Sequence, residues 1–264
     1  MDLRAPFDPA VVEPGSGPWR IEAVVETAST NADLLRVAAQ TPRAPEGLVR
    51  VAEFQNAGRG RLDREWVCPP GAGLMFSMLL RPTPSPATWG WLPLLAGLSL
   101  VEAIGADARL KWPNDLLLGP DGAKAAGILV QSVDGCVVAG MGINVTNTRE
   151  ELPHPASTSL QLLQRGDVVN RERLLGRILE AFWARYTAWT QADGDAEAAG
   201  VAAEYRRHCA TIDEPVAVSL PSGELTGTAV GIDASGQLLV RPASSMTTLA
   251  IAAGDITHLR VISR

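Results

Sequence analysis

Short β-rich segments alternate with turns from residue 214 to residue 261, and this pattern constrains the fold more than any other feature of the chain. The turns contain Pro-Ser-Gly, Ala-Ser-Gly and Ala-Gly-Asp, whose residue types favour tight reversals of the backbone. Short strands at such spacing are typical of a small β-barrel of about 50 residues. We therefore predict a separate C-terminal β-barrel domain over residues 211–264, with strands at 216–220, 226–232, 238–240, 247–251 and 256–261.

The preceding part of the chain mixes the periodicities of strands and helices. Alternating or continuous apolar residues predict strands at 20–26, 47–54, 74–80, 126–131 and 136–145. Apolar residues at helical spacing predict helices at 30–39, 88–104, 171–189 and 196–208. We expect residues 19–210 to form an α+β domain, with a mixed β-sheet flanked by helices. Residues 1–18 contain four prolines and little periodicity, and we expect an irregular arm there.

Composition restricts the surroundings and partners of the chain. The net charge of −6 argues against a general nucleic-acid surface, so no DNA partner is expected. The longest nearly apolar run, residues 91–101, is interrupted by Pro93 and falls short of the roughly 20 residues that span a bilayer. The N-terminus has no apolar core of the signal-peptide kind, and the three cysteines are scattered. We expect a cytoplasmic protein without a membrane partner.

A loop with three arginines and two glycines, residues 58–64, is the strongest local candidate for a binding site. Glycines let the backbone approach a ligand closely, and guanidinium groups match phosphate and carboxylate oxygens in pairs. Trp66 follows the loop and could cover a flat ring. The alternative interpretation is a solvated charged turn. The glycines do not have the spacing of a Walker A motif, which excludes an ordinary P-loop.

Lysine is rare in this chain, because of its 23 basic residues only Lys111 and Lys124 are not arginine. An ammonium is a compact charge, whereas a guanidinium is a planar fork. Two retained lysines therefore indicate two places where a fork does not fit, and chance retention is the alternative interpretation. Lys111 also begins Lys-Trp-Pro-Asn-Asp, a segment so dense in dissimilar functional groups that it favours a site over a plain turn.

Two further segments have a structural interpretation beside the functional one. Ser29-Thr30-Asn31 lies at a predicted strand-to-helix junction, where Thr30 and Asp33 fit a capping box. The N–H groups of a helix start could also meet a polar ligand there. Residues 140–142, Gly-Met-Gly, end an apolar strand without the third glycine of a Rossmann fingerprint, and alone they predict packing.

Taken in order, these segments resemble the biotin–protein ligase family, in its monofunctional type without an N-terminal DNA-binding domain. The matching segments are residues 29–31, 53–55 leading into 57–61, Arg64 and Trp66, 111–115, Lys124 with 127–129, and 142–145. The resemblance implies a class II aminoacyl-tRNA synthetase-like catalytic fold, the biotin ligase fold, followed by an SH3-like β-barrel. Two positions depart from the family pattern: Asp63 replaces a glycine of the cationic loop, and Ala125 replaces a bulkier apolar residue.

The resemblance also implies a reaction in two steps, in which the biotin carboxylate attacks the α-phosphate of ATP and a carrier lysine then attacks the acyl-adenylate. It implies Mg²⁺ held mainly by the ATP phosphates. The implied catalytic residues are Lys124, Arg59, Arg61 and Asp115. The implied biotin-binding residues are Ser29, Thr30, Asn31, Gln55, Arg59, Gly60, Arg61, Trp66 and Lys124. The implied ATP- and adenylate-binding residues are Arg61, Arg64, Trp66, Lys111, Asn114 and Asn144.

A lipoate–protein ligase is the nearest alternative, since it shares the two-step logic. Lipoate has no ureido group, and a site built to hydrogen-bond that group rejects a ligand without it. The Ser-Thr-Asn and Gly-Arg-Gly-Arg segments therefore favour biotin. Transcriptional repression would need a DNA-binding domain that the short arm cannot provide, and a non-catalytic binding module leaves the two lysines unexplained. The expected acceptor is a biotin carboxyl carrier domain of a biotin-dependent carboxylase, and the expected state is a monomer or a weak homodimer.

Overall fold

The computed structural model describes residues 4–41, 44–105, 107–163, 169–220, 223–245, 247–252 and 255–258. A seven-stranded mixed sheet, the main sheet, forms the larger part of the fold. Its strands are β1 (Arg20–Thr27), β2 (Leu48–Gln55), β3 (Gly73–Leu80), β4 (Arg109–Lys111), β5 (Asp115–Leu118), β6 (Ala123–Val133) and β7 (Cys136–Asn144). They lie in the order β1-β2-β3-β7-β6-β5-β4, with β1 and β2 parallel and the other neighbours antiparallel. The predicted α+β architecture is confirmed, although the short strands β4 and β5 were not predicted.

Helices cover both faces of the main sheet. They are α1 (Thr30–Gln40), α2 (Leu92–Ile104), α3 (Leu160–Leu163), α4 (Arg171–Gln191) and α5 (Val201–His208). Successive side chains of a strand point to opposite faces. Accordingly, Phe76 and Met78 of β3 share a hydrophobic cluster with α2 and α4, whereas Leu79 shares one with Leu34 of α1. Because both faces are covered, every residue of β3 is buried.

The apolar helix predicted at residues 88–104 begins with a 3₁₀ turn, Pro86–Trp91, and continues as α2. Pro93 lies in the first turn of α2, where a missing N–H costs no helical hydrogen bond. By length and composition Pro86–Ile104 could cross a membrane, but 61% of its most apolar window is buried inside the protein. It packs against α4 as a central helix of the core.

An antiparallel five-stranded sheet, the C-terminal sheet, follows the helices. Its strands are β8 (Pro215–Leu220), β9 (Gly223–Ile232), β10 (Leu238–Pro242), β11 (Leu249–Ile251) and β12 (Asp255–His258), in the order β11-β10-β9-β8-β12. The predicted small β-domain is confirmed, but its closure into a barrel is wrong for the described residues, because the edge strands β11 and β12 do not pair with each other there. Their described parts have three and four residues, which offer few ladder hydrogen bonds for closure. Residues 259–261 of the predicted last strand lie outside the described residues.

Helix α5 begins at Val201, later than the helix predicted from residue 196. The Asp195 carboxylate accepts hydrogen bonds from two backbone N–H groups of the next turn, at 2.9 and 3.0 Å. A short acidic side chain in a loop offers the backbone an alternative to the helix. Gly200 then adopts a left-handed φ of 75° directly before α5. The apolar periodicity therefore predicted the helix and its end correctly, but hydrogen bonds to Asp195 keep the first predicted turn out of the helix.

A buried ion pair fixes the N-terminal arm onto the main sheet. The described arm, residues 4–18, contains the 3₁₀ turn Pro9–Val11, and its Phe7 side chain is buried in the core. Arg171 of α4, only 5% exposed, forms an ion pair with Glu53 of β2 at 2.7 Å and donates to the Ala5 carbonyl at 2.7 Å. The Glu53 carboxylate also accepts a hydrogen bond from the Phe7 N–H.

Candidate active site

An open pocket of about 920 Å³, counting its solvent-filled mouth, lies over the glycine-bearing segments of β6 and β7. Its walls are the start of α1, the arginine-bearing loop after β2, the turn between β4 and β5, and the start of β6. Every predicted site residue except Asn144 lines it. The structure thus brings distant segments together: the first and last lining residues, Ser29 and Gly142, are more than 100 positions apart along the chain. Lining residues to which the sequence analysis assigned no site role, although some lie in its matching segments, are Leu62, Glu65, Trp112, Pro113, Gly127, Ile128, Leu129, Gly140, Met141 and Gly142.

The start of α1 forms the polar end of the pocket, and its cap differs from the prediction. Ser29 is the N-cap, in an extended conformation, and its hydroxyl accepts from the Ala32 N–H at 3.5 Å. The predicted capping box of Thr30 and Asp33 is wrong, because the helix starts one residue earlier and Asp33 lies beyond the third helical position. The Asp33 carboxylate instead accepts from the Thr27 hydroxyl at 2.7 Å.

A network of buried hydrogen bonds holds this polar end in place. Gln55 accepts from the Thr30 N–H at 2.8 Å and from the Thr30 hydroxyl at 3.1 Å. The Asn31 amide donates to the Leu129 carbonyl at 3.0 Å and to Gln131 at 2.9 Å. Ser77 of β3, fully buried, lies 2.7 Å from the Thr30 hydroxyl and 2.6 Å from the Asn31 carbonyl oxygen. Thr30 and Asn31 are therefore rigidly oriented, as a site for a neutral polar ligand requires.

Three glycines that were predicted only as packing residues, or not singled out as site residues, form the floor of the pocket. A Cβ on Gly142 would overlap the Trp66 indole, and one on Gly127 would lie 3.1 Å from it. A Cβ on Gly140 would overlap the Asn31 carboxamide. Gly140 and Gly142 are two positions apart on β7, so both face the same side. The missing Cβ atoms let the Trp66 indole and the Asn31 carboxamide lie directly on the sheet, and the spacing of the glycines was the signal for this arrangement.

Lys124 points into the pocket from an irregular part of β6. The pairing of β5 with β6 shifts register at Leu116 and Leu117, which leaves Ala125 without a direct partner on β5. Such a bulge re-aims the neighbouring side chains. The Lys124 ammonium pairs with the Asp115 carboxylate at 2.6 Å and lies 5.9 Å from the centre of the Trp66 ring. The two candidate catalytic groups of opposite charge are therefore in direct contact.

The arginine-bearing loop, residues 58–66, is a small hairpin that overhangs the pocket. The Gly60 N–H donates to the Arg64 carbonyl at 2.7 Å, and the Trp66 N–H donates to the Gly58 carbonyl at 2.9 Å. At the tip, Leu62 and Asp63 have left-handed φ values of 55° and 56°. A side chain in this region costs backbone strain that glycine avoids. The left-handed backbone at Asp63 agrees with the glycine that the family pattern has at this position.

Substituting Asp63 tests what its charge does to the loop. The carboxylate is exposed and lies 3.5 Å from the Arg59 guanidinium, so it offsets part of the positive charge that faces the pocket. We expect Asp63→Asn, which keeps a side chain that tolerates left-handed φ, to lower the KM for the ATP that the resemblance implies by about two- to threefold at low salt. The gain should disappear at high ionic strength because exposed charges are screened. Asp63→Gly serves as the control for backbone freedom, and a KM that stays constant in Asp63→Asn at every salt concentration would contradict the charge effect.

Asn144 is the predicted site residue that does not line the pocket. It ends β7, is only 4% exposed, and its amide donates to the Thr158 carbonyl at 3.0 Å. Thr158 in turn donates its N–H to the Lys124 carbonyl at 2.8 Å, so Asn144 braces the segment that runs beside Lys124. The role of Asn144 as an adenine contact stays a prediction.

Comparison with known proteins agrees with this geometry. Residues 24–146 match the Biotin/lipoate A/B protein ligase family, and residues 211–259 match the Biotin protein ligase C terminal domain. The biotin--[acetyl-CoA-carboxylase] ligase of Mycobacterium tuberculosis is 37% identical over 98% of this chain and 98% of its own length. The enzyme of the same name from Paracoccus denitrificans is 32% identical over 83% of this chain and 92% of its own.

Among solved structures, biotin protein ligase from Aquifex aeolicus in complex with biotin and ATP superposes with a TM-score of 0.74. The sequence identity is 26%, and the match covers 91% of this chain and 99% of that one. Fold and pocket together define a protein of the ligase class that includes the biotin and lipoate enzymes. More narrowly, the chain belongs to the biotin protein ligase family.

Proposed function

We propose that this protein is an ATP-dependent biotin–protein ligase. In the first step a biotin carboxylate oxygen bonds to the α-phosphorus of ATP, and pyrophosphate leaves, which yields biotinyl-5'-AMP. In the second step the amine of a carrier lysine attacks the acyl carbon, loses a proton, and displaces AMP. The observation that supports this function best is the pocket itself, which joins an oriented polar end at Thr30 and Gln55 to a cationic end at Lys124 and the arginine-bearing loop.

The polar end suits the ureido ring of biotin. That ring is neutral and presents both donors and acceptors, so it needs fixed polar partners rather than charges. Ser29, Thr30 and Gln55 supply such groups, and Asn31 is positioned beside them by its bonds across the sheet. The Trp66 indole, which packs on Gly127 and Gly142, supplies an apolar wall for the bicycle.

The cationic end suits the joining of two anions. Arg59, Arg61, Arg64 and Lys124 all line the pocket, and they offset the repulsion between a carboxylate and a polyphosphate. Lys111 and Asn114 face the same space from the turn after β4. Mg²⁺ belongs to the proposal as the cation that neutralises the phosphates. It would be held mainly by them, since the described residues contain no cluster of three or more His, Cys, Asp and Glu side chains suited to a metal.

The arginine-bearing loop acts as a lid over the intermediate, because an acyl-adenylate hydrolyses where water reaches it. We expect Arg61→Gly to form the adenylate but release it, so that pyrophosphate production without carrier continues beyond the first turnover, about tenfold faster than in the wild type. Continuous pyrophosphate detection together with labelling of an added bystander protein measures this. Arg61→Lys is the control that keeps the charge. The lid model is wrong if Arg61→Gly stops after one turnover and labels no bystander lysines.

The acceptor in this proposal is a biotin carboxyl carrier domain, as the names of the ligases from M. tuberculosis and P. denitrificans suggest. A second groove, lined by residues 59–63 and 129–131, shares residues 59–62 and Leu129 with the pocket, and we propose it as the route by which an accepting lysine reaches the intermediate. The proposal includes a cytoplasmic location, a monomer or a weak homodimer, and no DNA-bound repressor role. The net charge of −6 supports the absence of DNA binding.

Pyrophosphate release with a single organic acid tests the proposed function. The purified protein is incubated with ATP, Mg²⁺ and either biotin or lipoate, and then with a carrier domain. We expect pyrophosphate only with biotin, and a mass increase of the carrier by one biotinyl group. Pyrophosphate release with lipoate alone would overturn the substrate assignment. No pyrophosphate release with either acid would overturn the proposed activity.

A further inference from the structure

The C-terminal sheet rests directly on the turn that carries Lys111 into the pocket. The Trp112 indole N–H donates to the Gly236 carbonyl at 3.0 Å, and the Trp91 indole N–H donates to the Ala234 carbonyl at 3.0 Å. Both acceptors belong to the tight turn between β9 and β10. Gly90 permits this close approach, because a Cβ there would overlap a carbonyl of the same turn. The turn between β9 and β10 is therefore closely packed against Gly90, Trp91 and Trp112. We call this contact the junction.

A chain of hydrogen bonds crosses this junction and ends at the backbone of Trp112. The Trp112 N–H donates to the Thr211 hydroxyl oxygen at 3.0 Å, and that oxygen lies 3.1 Å from Nε2 of His258 on β12. Thr211 is fully buried. The Thr211 oxygen has a second lone pair besides the one that faces Trp112, so Thr211 can donate its proton to an unprotonated Nε2 or accept one from a protonated Nε2. The hydrogen-bonded series therefore links His258 to the backbone of Trp112 in either protonation state, with opposite direction at its outer end.

The surroundings of His258 keep the imidazole neutral. Among the described residues, the charged groups that face it are Lys111 on β4 and Glu214 before β8. Burial and the Lys111 charge lower the pKa of His258 below its ordinary value of 6.5, and Glu214 opposes this in part. Because the folded state disfavours the proton, the imidazole is neutral at neutral pH, and as the pH falls through the lowered pKa protonation makes Nε2 a donor to Thr211 and adds a positive charge near Lys111.

We infer that Thr211 and His258 are positioning residues for the nucleotide end of the site. They hold the backbone at Trp112, and Lys111 and Asn114 on either side of it line the pocket. The inference rests on the proposed function, in which those two residues contact ATP. The polar end at Ser29 and Thr30 has its own hydrogen-bond network within the main sheet. Loss of the hydrogen bonds at Thr211 should therefore weaken the binding of ATP and leave the binding of biotin nearly unchanged.

Steady-state kinetics of the full chain tests this positioning. We expect Thr211→Val, which removes the hydroxyl at nearly constant volume, to raise the KM for ATP about tenfold while the KM for biotin changes less than about twofold. Thr211→Ser keeps the hydroxyl and should restore the KM for ATP. Equal increases in both KM values, or no increase for ATP, would show a merely structural role and overturn the inference. Thermal melting of each variant reports whether it is folded.

The pH profile of His258→Gln gives a second test, which stands even if Thr211→Val does not fold. Glutamine keeps a polar group opposite Thr211 and gains no charge at acid pH, so the acid-side change in the KM for ATP should be smaller than in the wild type. Titration of ATP itself affects both proteins and cancels in their ratio. Superimposable profiles would overturn the inference. Failure of the proposed function is distinguishable, since it would appear as absence of biotin-dependent pyrophosphate release in the wild type.

Discussion

Lys124→Ala is expected to lower kcat for adenylate formation by about a thousandfold, the upper part of the range for removing one preorganised charge stabiliser. The ammonium lies inside the pocket, 2.6 Å from the Asp115 carboxylate. There it can stay close to the oxygen that comes to bridge the acyl carbon and the α-phosphorus. Because this interaction strengthens as charge develops, kcat should fall much more than the affinity for biotin. Rapid-quench measurement of the first pyrophosphate burst isolates this step.

Two controls separate charge from shape at Lys124. Lys124→Arg keeps the positive charge but replaces the compact ammonium with a planar fork, and we expect it to recover only part of the rate. Arg36→Ala removes a cation that is exposed on α1 and pairs only locally with Asp33, and its kcat should equal that of the wild type. Retention of more than about a tenth of the wild-type kcat in Lys124→Ala would contradict the assigned role.

Arg171→Ala is expected to lower the free energy of unfolding by about 3–5 kcal/mol, which is a large part of the stability of a typical domain. The guanidinium donates to both oxygens of Glu53 at 2.7 and 3.1 Å and to the Gly73 and Ala5 carbonyls. Its loss leaves a mostly buried carboxylate without its countercharge and removes the hydrogen bond to the N-terminal arm at Ala5. Equilibrium unfolding in urea measures the change.

Arg173→Ala is the matched control for Arg171, because it lies on the same helix with an exposed side chain. We expect its unfolding free energy to stay within about 0.5 kcal/mol of the wild type. Glu53→Gln combined with Arg171→Ala should recover part of the loss, since the buried charge is then removed as well. A single Arg171→Ala variant as stable as Arg173→Ala would show that the ion pair does not hold the arm.

The parts of the site that could be predicted from sequence are those whose chemistry is local. The arginine-bearing loop, the start of α1 and the Lys-Trp-Pro-Asn-Asp turn each concentrate functional groups within a few residues, and the structure places all three on one pocket. The cap of α1 shows the limit of this approach. Ser29 and Thr30 are both good caps, and sequence could not decide which residue leaves the helical backbone conformation.

The parts that could not be predicted depend on contacts between distant segments. Ser77 reaches Asn31 only because α1 packs against β3, and Gly127 meets Trp66 only because the loop folds over β6. Barrel closure failed as a prediction for the same reason. Alternation and turn residues identify strands, whereas the pairing of the edge strands is decided by geometry that no single segment contains.

The two lysines give the pocket a practical property as a chemical target. Both side-chain amines of the chain lie in the wall of a single cavity, and the described cysteines are all buried. Acylating dyes or activated resins therefore meet only these two ammonium groups and the chain terminus. Acylation of Lys111 or Lys124 should inactivate the protein, and a bound nucleotide should protect both lysines from the reagent. Incorporation of such a reagent at Lys111 and Lys124 then measures the number of unoccupied cavities in a sample.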